Sequence, residues 1–388
     1  MILQSVKFEK IGNYDIFSCM ADEIAIKYSS TGVNYKVIDP VKKLAQEKAK
    51  ETSSNLSAFN AKEISQSRGE SAYVWEESDS YRAFVVEGLG TKNLVADATS
   101  KITGKSYYQD IAQDTVAMIT NDIIVVGAKP MVVNAYFGTG GSEWFENNQR
   151  SEDLVIGFAN ACNLAGATWG GGETPALKGI INPETVDLGG ACVGIINPKE
   201  RLTLGDKITA GDSILLIESS GIHANGISLT RALAEKLPEG YATKLPNGEM
   251  FGEAILKPTH IYAKLVESLF NAVIEIHYMV NITGHGFRKI MRATQEFTYT
   301  LDNLPTPQPV FEFIQRESGN HDSEMYGNFN MGAGFAIILP EEYIEKAQTI
   351  AKENGFESWN AGIVENGPKQ VIIKPKNITF SSDTLDLR

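Results

Sequence analysis

The chain has 388 residues, of which 43% are hydrophobic and 21% charged, values typical of globular proteins that exclude a mainly disordered chain. Its formal net charge of −13 argues against a nucleic-acid-binding protein, because binding to a phosphate backbone depends on a basic surface. A chain of this length exceeds what one hydrophobic core usually organises, so we expect two domains.

Neither a signal segment nor a membrane span is expected. Charged residues interrupt the first part of the chain, and no stretch reaches the roughly 18 consecutive apolar residues of a membrane helix. The cysteines, Cys19, Cys162 and Cys192, are far apart and odd in number, which argues against a disulfide framework or a zinc site. We therefore expect a cytoplasmic protein.

In the first half of the chain, residues 46–80 form a polar segment, which can bury little surface. This composition predicts a helix with a solvated face followed by a mobile loop. A short run rich in β-branched and aromatic residues predicts a buried strand at 82–87. Apolar residues spaced three and four apart predict a helix at 109–126. The other elements predicted in this half are strands at 131–137 and 188–196 and a helix at 152–165.

The second half repeats this mixture of elements. We predict strands at 213–218 and 330–339, and helices at 226–237, 259–272 and 341–354. Strands and helices occur together in both halves, so the expected class is α/β or α+β with two domains of similar size. We place the domains at residues 1–200 and 201–388.

The turn after the first predicted strand contains Gly88, Gly90, Thr91 and Lys92, and these residues suit a phosphate group. The glycines let the backbone approach a ligand, while the hydroxyl and ammonium groups can donate to phosphate oxygens. The spacing differs from a Walker A loop and from a Gly-x-Gly-x-x-Gly dinucleotide motif. A tight turn with a surface lysine is the structural alternative.

The next helix carries Asp110, Asp114, Asn121 and Asp122. Their spacing places the first three on the side opposite the apolar stripe, so a solvated polar face is the simple interpretation. Asp122 is followed by Gly127, where the helix should end. Carboxylate and amide oxygens beside a phosphate loop would form a site for Mg²⁺.

Two further glycine-rich segments could carry chemistry. Gly170, Gly171 and Gly172 precede Glu173, and we interpret the glycines as allowing close approach of the backbone to a ligand. A flexible loop is the alternative. The second segment, at 219–228, lies between a strand and a helix, where the helix N-terminus favours an anion. This segment contains His223, a potential acid or base, and Asn225.

A structural role for His223 is the alternative. All these loops lie at the ends of predicted strands in both halves, which favours a cleft between two domains.

From about residue 28 to residue 364 the sequence resembles the aminoimidazole ribonucleotide synthetase (phosphoribosylformylglycinamidine cyclo-ligase) family. The motifs that carry the resemblance are Glu87-Gly-Leu-Gly-Thr-Lys92, Asn121-Asp-x4-Gly-Ala-x-Pro130, Gly171-Gly-Glu-Thr174, Ser219-Ser-Gly-x-His-x-Asn-Gly-x-Ser-Leu229, Lys257-Pro-Thr-x-Ile-Tyr262, Ile282-Thr-Gly-x-Gly-Phe287 and Glu324-Met-Tyr-x-x-Phe-Asn-x-Gly332.

The resemblance implies an ATP- and Mg²⁺-dependent ligase that cyclises formylglycinamidine ribonucleotide to aminoimidazole ribonucleotide. It implies a homodimer whose N-terminal domains contribute strands to a shared β-barrel, with a layered α/β C-terminal domain. It also assigns site residues by role. The metal ligands would be Glu87, Asp114 and Asp122, the catalytic residues Lys92, Glu173 and His223, and the ATP and phosphate contacts Gly88, Gly90, Thr91, Lys92, Gly171, Gly172 and Asn225.

The chain departs from the family pattern at several site positions. Glu87 stands in place of aspartate, and His285 and Met331 replace glycine and cysteine. The segment Pro175–Gly179 also differs from the usual sequence. The alternatives are therefore another ATP-using enzyme of the same superfamily, such as a small-molecule kinase or dehydratase, and a non-catalytic paralogue that binds nucleotide.

Overall fold

Two β-sheets organise residues 35–385, the part of the chain that this computed structural model describes. The first sheet has six strands in the order β1-β2-β3-β6-β4-β5, and only the β4–β5 pair is parallel. Its strands are β1 Ala61–Glu63, β2 Tyr73–Glu77, β3 Ser80–Gly88, β4 Lys129–Thr139, β5 Thr168–Glu173 and β6 Val186–Ile196. The α-helices of this N-terminal half are α1 Tyr35–Lys50, α2 Lys92–Thr103, α3 Tyr108–Ile124 and α4 Asn148–Ala165.

The second sheet has seven strands in the order β13-β12-β9-β11-β7-β10-β8, and only the β9–β12 pair is parallel. Its strands are β7 Ser213–Glu218, β8 Tyr278–Asn281, β9 Phe297–Leu301, β10 Ala333–Leu339, β11 Ser358–Asn366, β12 Gln370–Ile373 and β13 Ile378–Ser381. The α-helices of this C-terminal half are α5 Ile227–Lys236, α6 Phe251–Ile255, α7 Ala263–Asn271, α8 Pro309–Ser318, α9 Asp322–Asn328 and α10 Ile344–Glu353.

Helix α3 is buried on all sides and lies between the first sheet and the C-terminal half. Its apolar stripe, which includes Val116 and Ile119, packs on β3 and β6. Its polar side is covered as well, because Asp114 and Asn121 are at most 1% exposed and Asp110 is half-buried. The interpretation of these residues as a solvated polar face is therefore wrong: the C-terminal half covers them.

Within residues 35–385, no helix covers the opposite face of the first sheet. Along β3, Ala83 and Val85 point toward α3 and are buried, whereas Phe84 and Val86 are 42% and 65% exposed. Met131 on β4 is 39% exposed. Alternate strand residues point to opposite faces of a sheet, so this apolar surface belongs to the outer face.

Most predicted elements in the two halves are confirmed within one to four residues, including β3, β7 and α3. The predicted helix at 259–272 begins only at Ala263, because residues 257–262 bond to side chains of α3 instead of forming a helical turn. The predicted mobile loop within 46–80 is wrong, since β1 and β2 lie there and join the first sheet. Within residues 35–385, no helix is long and apolar enough to cross a membrane.

Candidate functional site

Lys92 and Asp114 form an ion pair where the halves meet. The ammonium lies 2.9 Å from Oδ1 and 2.7 Å from Oδ2, and neither side chain has solvent-accessible surface. Lys92 also donates to the carbonyl oxygen of Lys257 at 2.9 Å, and Thr259 donates its backbone N–H and its hydroxyl to Asp114 Oδ1. Burial lowers the pKa of Lys92, and Asp114 opposes that shift. The pair therefore fastens α2 and α3 to the C-terminal half.

Asn121 makes a second connection of the same kind, about two helical turns after Asp114 along α3. Its amide nitrogen donates to the carbonyl oxygen of His260 at 2.8 Å, and its amide oxygen accepts from the backbone N–H of Tyr262 at 3.0 Å. A buried backbone needs such partners wherever it does not form regular structure. The polar residues of α3 therefore fix the conformation of residues 257–262.

Asp122 and Glu87 bring two carboxyl groups together. Glu87 is the penultimate residue of β3 and Asp122 lies near the end of α3, and their carboxyl groups are close enough to share a hydrogen bond when one of them is protonated. Burial and the charge of Asp122 raise the pKa of Glu87 to about 7, with Lys289 opposing the shift. With its raised pKa, Glu87 takes up a proton more readily than an ordinary glutamate does, and that proton favours a hydrogen bond to Asp122. Asn281 of β8 donates to Asp122 Oδ1 at 2.7 Å, so the C-terminal half contributes to this pair.

Lys289, in the segment after β8, adds positive charge beside the carboxyl pair, and no sequence signal singled it out. Lys289 is 6% exposed, and burial lowers its pKa to about 8 against the opposing effect of Asp122. His285 has a φ of 141°, an uncommon conformation for a residue other than glycine. Burial and the neighbouring Lys289 lower the pKa of His285 to about 3, so this imidazole is neutral.

His223 lies in the turn between β7 and α5 and is 1% exposed. Its Nε2 accepts a hydrogen bond from the backbone N–H of Ser220 at 3.3 Å. Burial, His260 and Lys92 lower its pKa well below the usual value, so the imidazole is neutral with its proton on Nδ1. Asn225 is half-buried in the same turn, 4.0 Å from the sulfur of Met118. Asn225 therefore lies beside α3, and His223 lies close to His260 and Lys92.

The predicted phosphate loop follows the C-terminal end of β3, an inner strand of the first sheet. Gly88 and Gly90 are exposed, and Gly90 has a φ of 78° that glycine adopts readily. Thr91 precedes α2, and its side chain makes no capping hydrogen bond to that helix. The N-terminus of a helix without a side-chain cap leaves backbone N–H groups available to an anion. Lys92 is the exception in this loop, since its ammonium points into the buried ion pair.

Glu173 ends β5 and is exposed. It lies at the same end of the sheet as Glu87, because both residues are near the C-terminal ends of their strands. Both residues line an open cavity of about 470 Å³ on the outer face. The glycines before Glu173 form an edge strand instead of the predicted ligand loop. At Gly172 a Cβ atom would lie 2.1 Å from the carbonyl oxygen of Ala135, so pairing with β4 requires that glycine. Gly171, with a φ of 122° and open space around it, stays available to a ligand.

The predicted site residues therefore fall into two groups. The exposed group comprises Gly88, Gly90, Gly171, Gly172 and Glu173, with the half-buried Thr91 beside them. The buried group comprises Lys92, Asp114, Asp122 and His223, with the half-buried Asn225 beside them. Glu87 connects the groups, because it lines the outer cavity and bonds to Asp122. Of the three predicted metal ligands, only Glu87 and Asp122 are brought together. Within the described residues no cluster of three or more His, Cys, Asp or Glu side chains is arranged to hold a metal ion.

Family models match both halves of the chain. Residues 69–196 match the AIR synthase related protein, N-terminal domain, and residues 209–374 match the AIR synthase related protein, C-terminal domain. The first matched segment contains β3, α3 and β6, and the second contains His223, Asn281 and Lys289. The candidate site is thus built from both matched segments.

Curated relatives are similar over most of their own length. The chain is 32% identical to a phosphoribosylformylglycinamidine cyclo-ligase of Rippkaea orientalis over 74% of this chain and 82% of the relative. It is 35% identical to proteins of the same name from Methanocaldococcus jannaschii, over 74% and 79%, and Pyrococcus horikoshii, over 78% and 84%. The similarity extends across both halves.

Solved structures share the fold at low sequence identity. The structure of AaThiL complexed with AMPPCP and TMP has a TM-score of 0.57 at 16% identity, covering 91% of this chain and 96% of that one. The HypE–HypF complex gives 0.57 at 18% identity, over 81% and 93%. T. maritima PurL complexed with ATP gives 0.52 at 14% identity, over 81% of this chain and 46% of that one. These similarities establish the two-sheet α/β architecture.

Proposed function

The chain belongs to the phosphoribosylformylglycinamidine cyclo-ligase family, and we propose that it converts formylglycinamidine ribonucleotide and ATP into aminoimidazole ribonucleotide, ADP and phosphate. The observation that carries this proposal is the similarity to curated relatives across about four-fifths of their length. The reaction closes an imidazole ring by forming a carbon–nitrogen bond at the expense of ATP, so it is a ligase reaction, and it belongs to purine biosynthesis.

The chemistry explains why ATP is needed. The formyl amide oxygen of the substrate takes the terminal phosphoryl group of ATP, and ADP leaves. The amidine nitrogen then attacks the activated carbon, and the ring closes as phosphate departs with the former amide oxygen. An amide oxygen is a poor leaving group and its phosphate ester is a good one. The protein has to hold the two substrates in line and stabilise negative charge.

The pair Glu87 and Asp122 suits a magnesium ion. Both donors are carboxylate oxygens, which Mg²⁺ prefers. Burial, and after it repulsion from Asp122, already raise the pKa of Glu87 to about 7. A divalent cation in place of the shared proton would relieve this repulsion. When bound, Mg²⁺ would neutralise charge on the phosphate oxygens of ATP. Asn281 orients Asp122 for this role through its 2.7 Å hydrogen bond.

Lys92 and Asp114 act indirectly in this proposal. Their buried ion pair and the bond from Lys92 to the Lys257 carbonyl oxygen hold the phosphate loop against the C-terminal half. Gly88, Gly90 and Thr91 would then offer backbone and hydroxyl donors to the phosphates. Gly171 and Gly172 would line the nucleotide from β5.

Glu173, His223 and Asn225 are the proposed residues at the reacting groups. Glu173 is exposed, so its carboxylate can accept the proton that the amidine nitrogen loses on ring closure. His223 is neutral, with Nε2 occupied by the Ser220 N–H, so it would donate a hydrogen bond through Nδ1. Asn225 would bind the substrate amide through its side chain.

A direct assay tests the proposed function. Purified protein with ATP, Mg²⁺ and formylglycinamidine ribonucleotide should release ADP and form aminoimidazole ribonucleotide only when all three are present. Nucleotide binding without turnover would instead support the non-catalytic paralogue. ADP release that requires another small molecule would support a different enzyme of the superfamily.

A homodimer is proposed from the open face of the first sheet. Phe84, Val86 and Met131 expose apolar surface there, and a second copy of the sheet would cover it. Closing the two sheets into a barrel would also bring Glu173 and the outer cavity next to the partner subunit. A cytoplasmic location stays a prediction from the sequence.

A further inference from the structure

Lys289 is a buried cation whose hydrogen-bonding capacity is mostly unused. Its ammonium carries three N–H donors, and within residues 35–385 its hydrogen-bond partner is Thr283 Oγ1 at 2.5 Å. Lys92 differs, since Asp114 and the Lys257 carbonyl oxygen occupy its ammonium. Burying an ammonium with spare donors is unfavourable unless an anionic partner joins it.

The segment from Asn281 to Lys289 is held in place by contacts along its length. At its start, Asn281 bonds to Asp122 at 2.7 Å. In its middle, Gly286 packs so closely on α9 that a Cβ atom would lie 2.2 Å from the carbonyl oxygen of Tyr326. Arg288 donates to the carbonyl oxygen of Gly327. A rigid segment of this kind can hold a cation in a defined position.

The charges around Lys289 come from both halves of the chain. Asp122 and Glu87 attract its ammonium from the N-terminal half, Glu70 attracts it from the segment before β2, and Arg292 repels it. The two carboxyl groups nearest the proposed phosphates thus lie close to a cation that the C-terminal half supplies. An ATP molecule there brings more negative charge than a single Mg²⁺ can neutralise.

We propose that Lys289, oriented by Thr283, contacts the phosphate oxygens of the nucleotide and is the lysine that the phosphate site uses in place of Lys92. This inference rests on the proposed function for the identity of the ligand. Lys289 moves no proton and forms no covalent bond in this role. It stabilises phosphate charge beside Glu87 and Asp122 through charge-assisted hydrogen bonds.

Calorimetric titration of MgADP into the purified chain tests the proposal without relying on turnover. Lys289→Met removes the charge and keeps the length of the side chain, and it should weaken binding by about 10- to 100-fold. Thr283→Val removes the orienting oxygen and should weaken binding by about 3- to 10-fold. Lys264→Met, at an exposed position on α7, is the matched control and should leave the Kd within about twofold.

A thermal unfolding curve for each variant separates binding from folding. A Lys289→Met protein that is folded and binds MgADP within about threefold of the original chain would overturn the proposal, because Lys289 would then serve only to balance buried charge. If Lys289→Met does not fold, Thr283→Val decides, and unchanged binding in that variant overturns the proposal. Failure of the proposed reaction is a separate outcome, seen as normal MgADP binding without ring closure.

Discussion

Lys92 and Asp114 lie 2.7 Å apart in an ion pair without solvent-accessible surface, although the sequence motifs assign one to phosphate and the other to metal. Thr259 and the Lys257 carbonyl oxygen complete the pair from the C-terminal half. Removing one partner of a buried pair leaves an uncompensated charge in a low-dielectric environment. The ion pair is therefore a structural connection that holds α2 and α3 against the C-terminal half beside the candidate site.

Lys92→Met should lower the free energy of unfolding by about 3–5 kcal/mol, because it leaves the Asp114 carboxylate buried without a positively charged partner. Chemical denaturation with a linear extrapolation measures the change. The double variant Lys92→Met with Asp114→Leu should be less destabilised than the sum of the single variants, since the two residues interact directly. A change below about 1 kcal/mol in Lys92→Met would contradict the structural role, and Lys264→Met is the control.

Asp122→Asn should reduce turnover by about 100-fold or more while the fold stays intact, because the amide keeps the shape and loses the charge that holds the metal. The Mg²⁺ concentration for half-maximal ADP release should rise in the same variant. Circular dichroism and a thermal unfolding curve report on the fold. A normal rate with a normal Mg²⁺ dependence would remove Asp122 from the proposed metal site.

Gly127→Ala should be strongly destabilising. Gly127 has a φ of 82°, and a Cβ atom there would lie 1.8 Å from the carbonyl oxygen of Arg201. Gly104 is the matched control, because its φ is 72° and nothing lies within 4 Å of its Cβ position. Gly104→Ala should cost about 1–2 kcal/mol for the left-handed conformation alone, and Gly127→Ala should cost more than about 3 kcal/mol. Equal losses in the two variants would show that the chain relaxes away from Arg201.

Cys162 and Cys192 should resist alkylation in the folded protein. Each is 1% exposed, and burial raises the pKa of their thiols to about 11 and about 12. At pH 8 only about one thiol in a thousand or fewer is then a thiolate, the reactive form. Mass spectrometry of the peptides after iodoacetamide treatment measures modification at each site, with a denatured sample as the control. Rapid labelling of either cysteine in the native protein would contradict this prediction. Cys19 lies outside the described residues.

Val86→Asp should convert the proposed dimer to a monomer. Val86 is 65% exposed on the helix-free face of the first sheet, so a charge there costs little in the monomer and much in a packed interface. Light scattering after size-exclusion chromatography gives the mass. Val273→Asp is the control, since Val273 is 80% exposed away from that sheet. A monomeric original chain, or a dimer that persists in Val86→Asp, would contradict the proposed interface.

Local sequence patterns were sufficient to predict much of the architecture. The β-rich runs at β3 and β7 and the three-to-four apolar spacing of α3 depend only on neighbouring residues. Among the strands that the sequence did not predict, β5 and β2 were missed for local reasons. β5 consists largely of glycine, and β2 lies in a polar segment, so neither shows the usual pattern of a strand. Pairing with longer neighbouring strands stabilises both.

The residue types of the candidate site could be predicted from the sequence. Which of its side chains contact one another could not. The motifs selected Glu87, Asp122 and His223, and the structure places all three where the halves meet. Nothing in the sequence around Lys289 distinguishes it from a surface lysine, because its burial depends on α9 and on acidic residues far away in the chain. Asn281 was missed for the same reason.

The sequence by itself determined the two-half α/β architecture, the family and the residue types available for a phosphate and metal site, since each of these depends on local patterns and motif order. Only the tertiary structure decided which charges meet. Lys92 lies beside Asp114 and is enclosed, whereas Lys289 lies near Glu87 and Asp122 with donors to spare. Packing of the C-terminal half against α3 determines these pairings. Burial removes water, so each charge can be stabilised only by the groups that the fold places beside it.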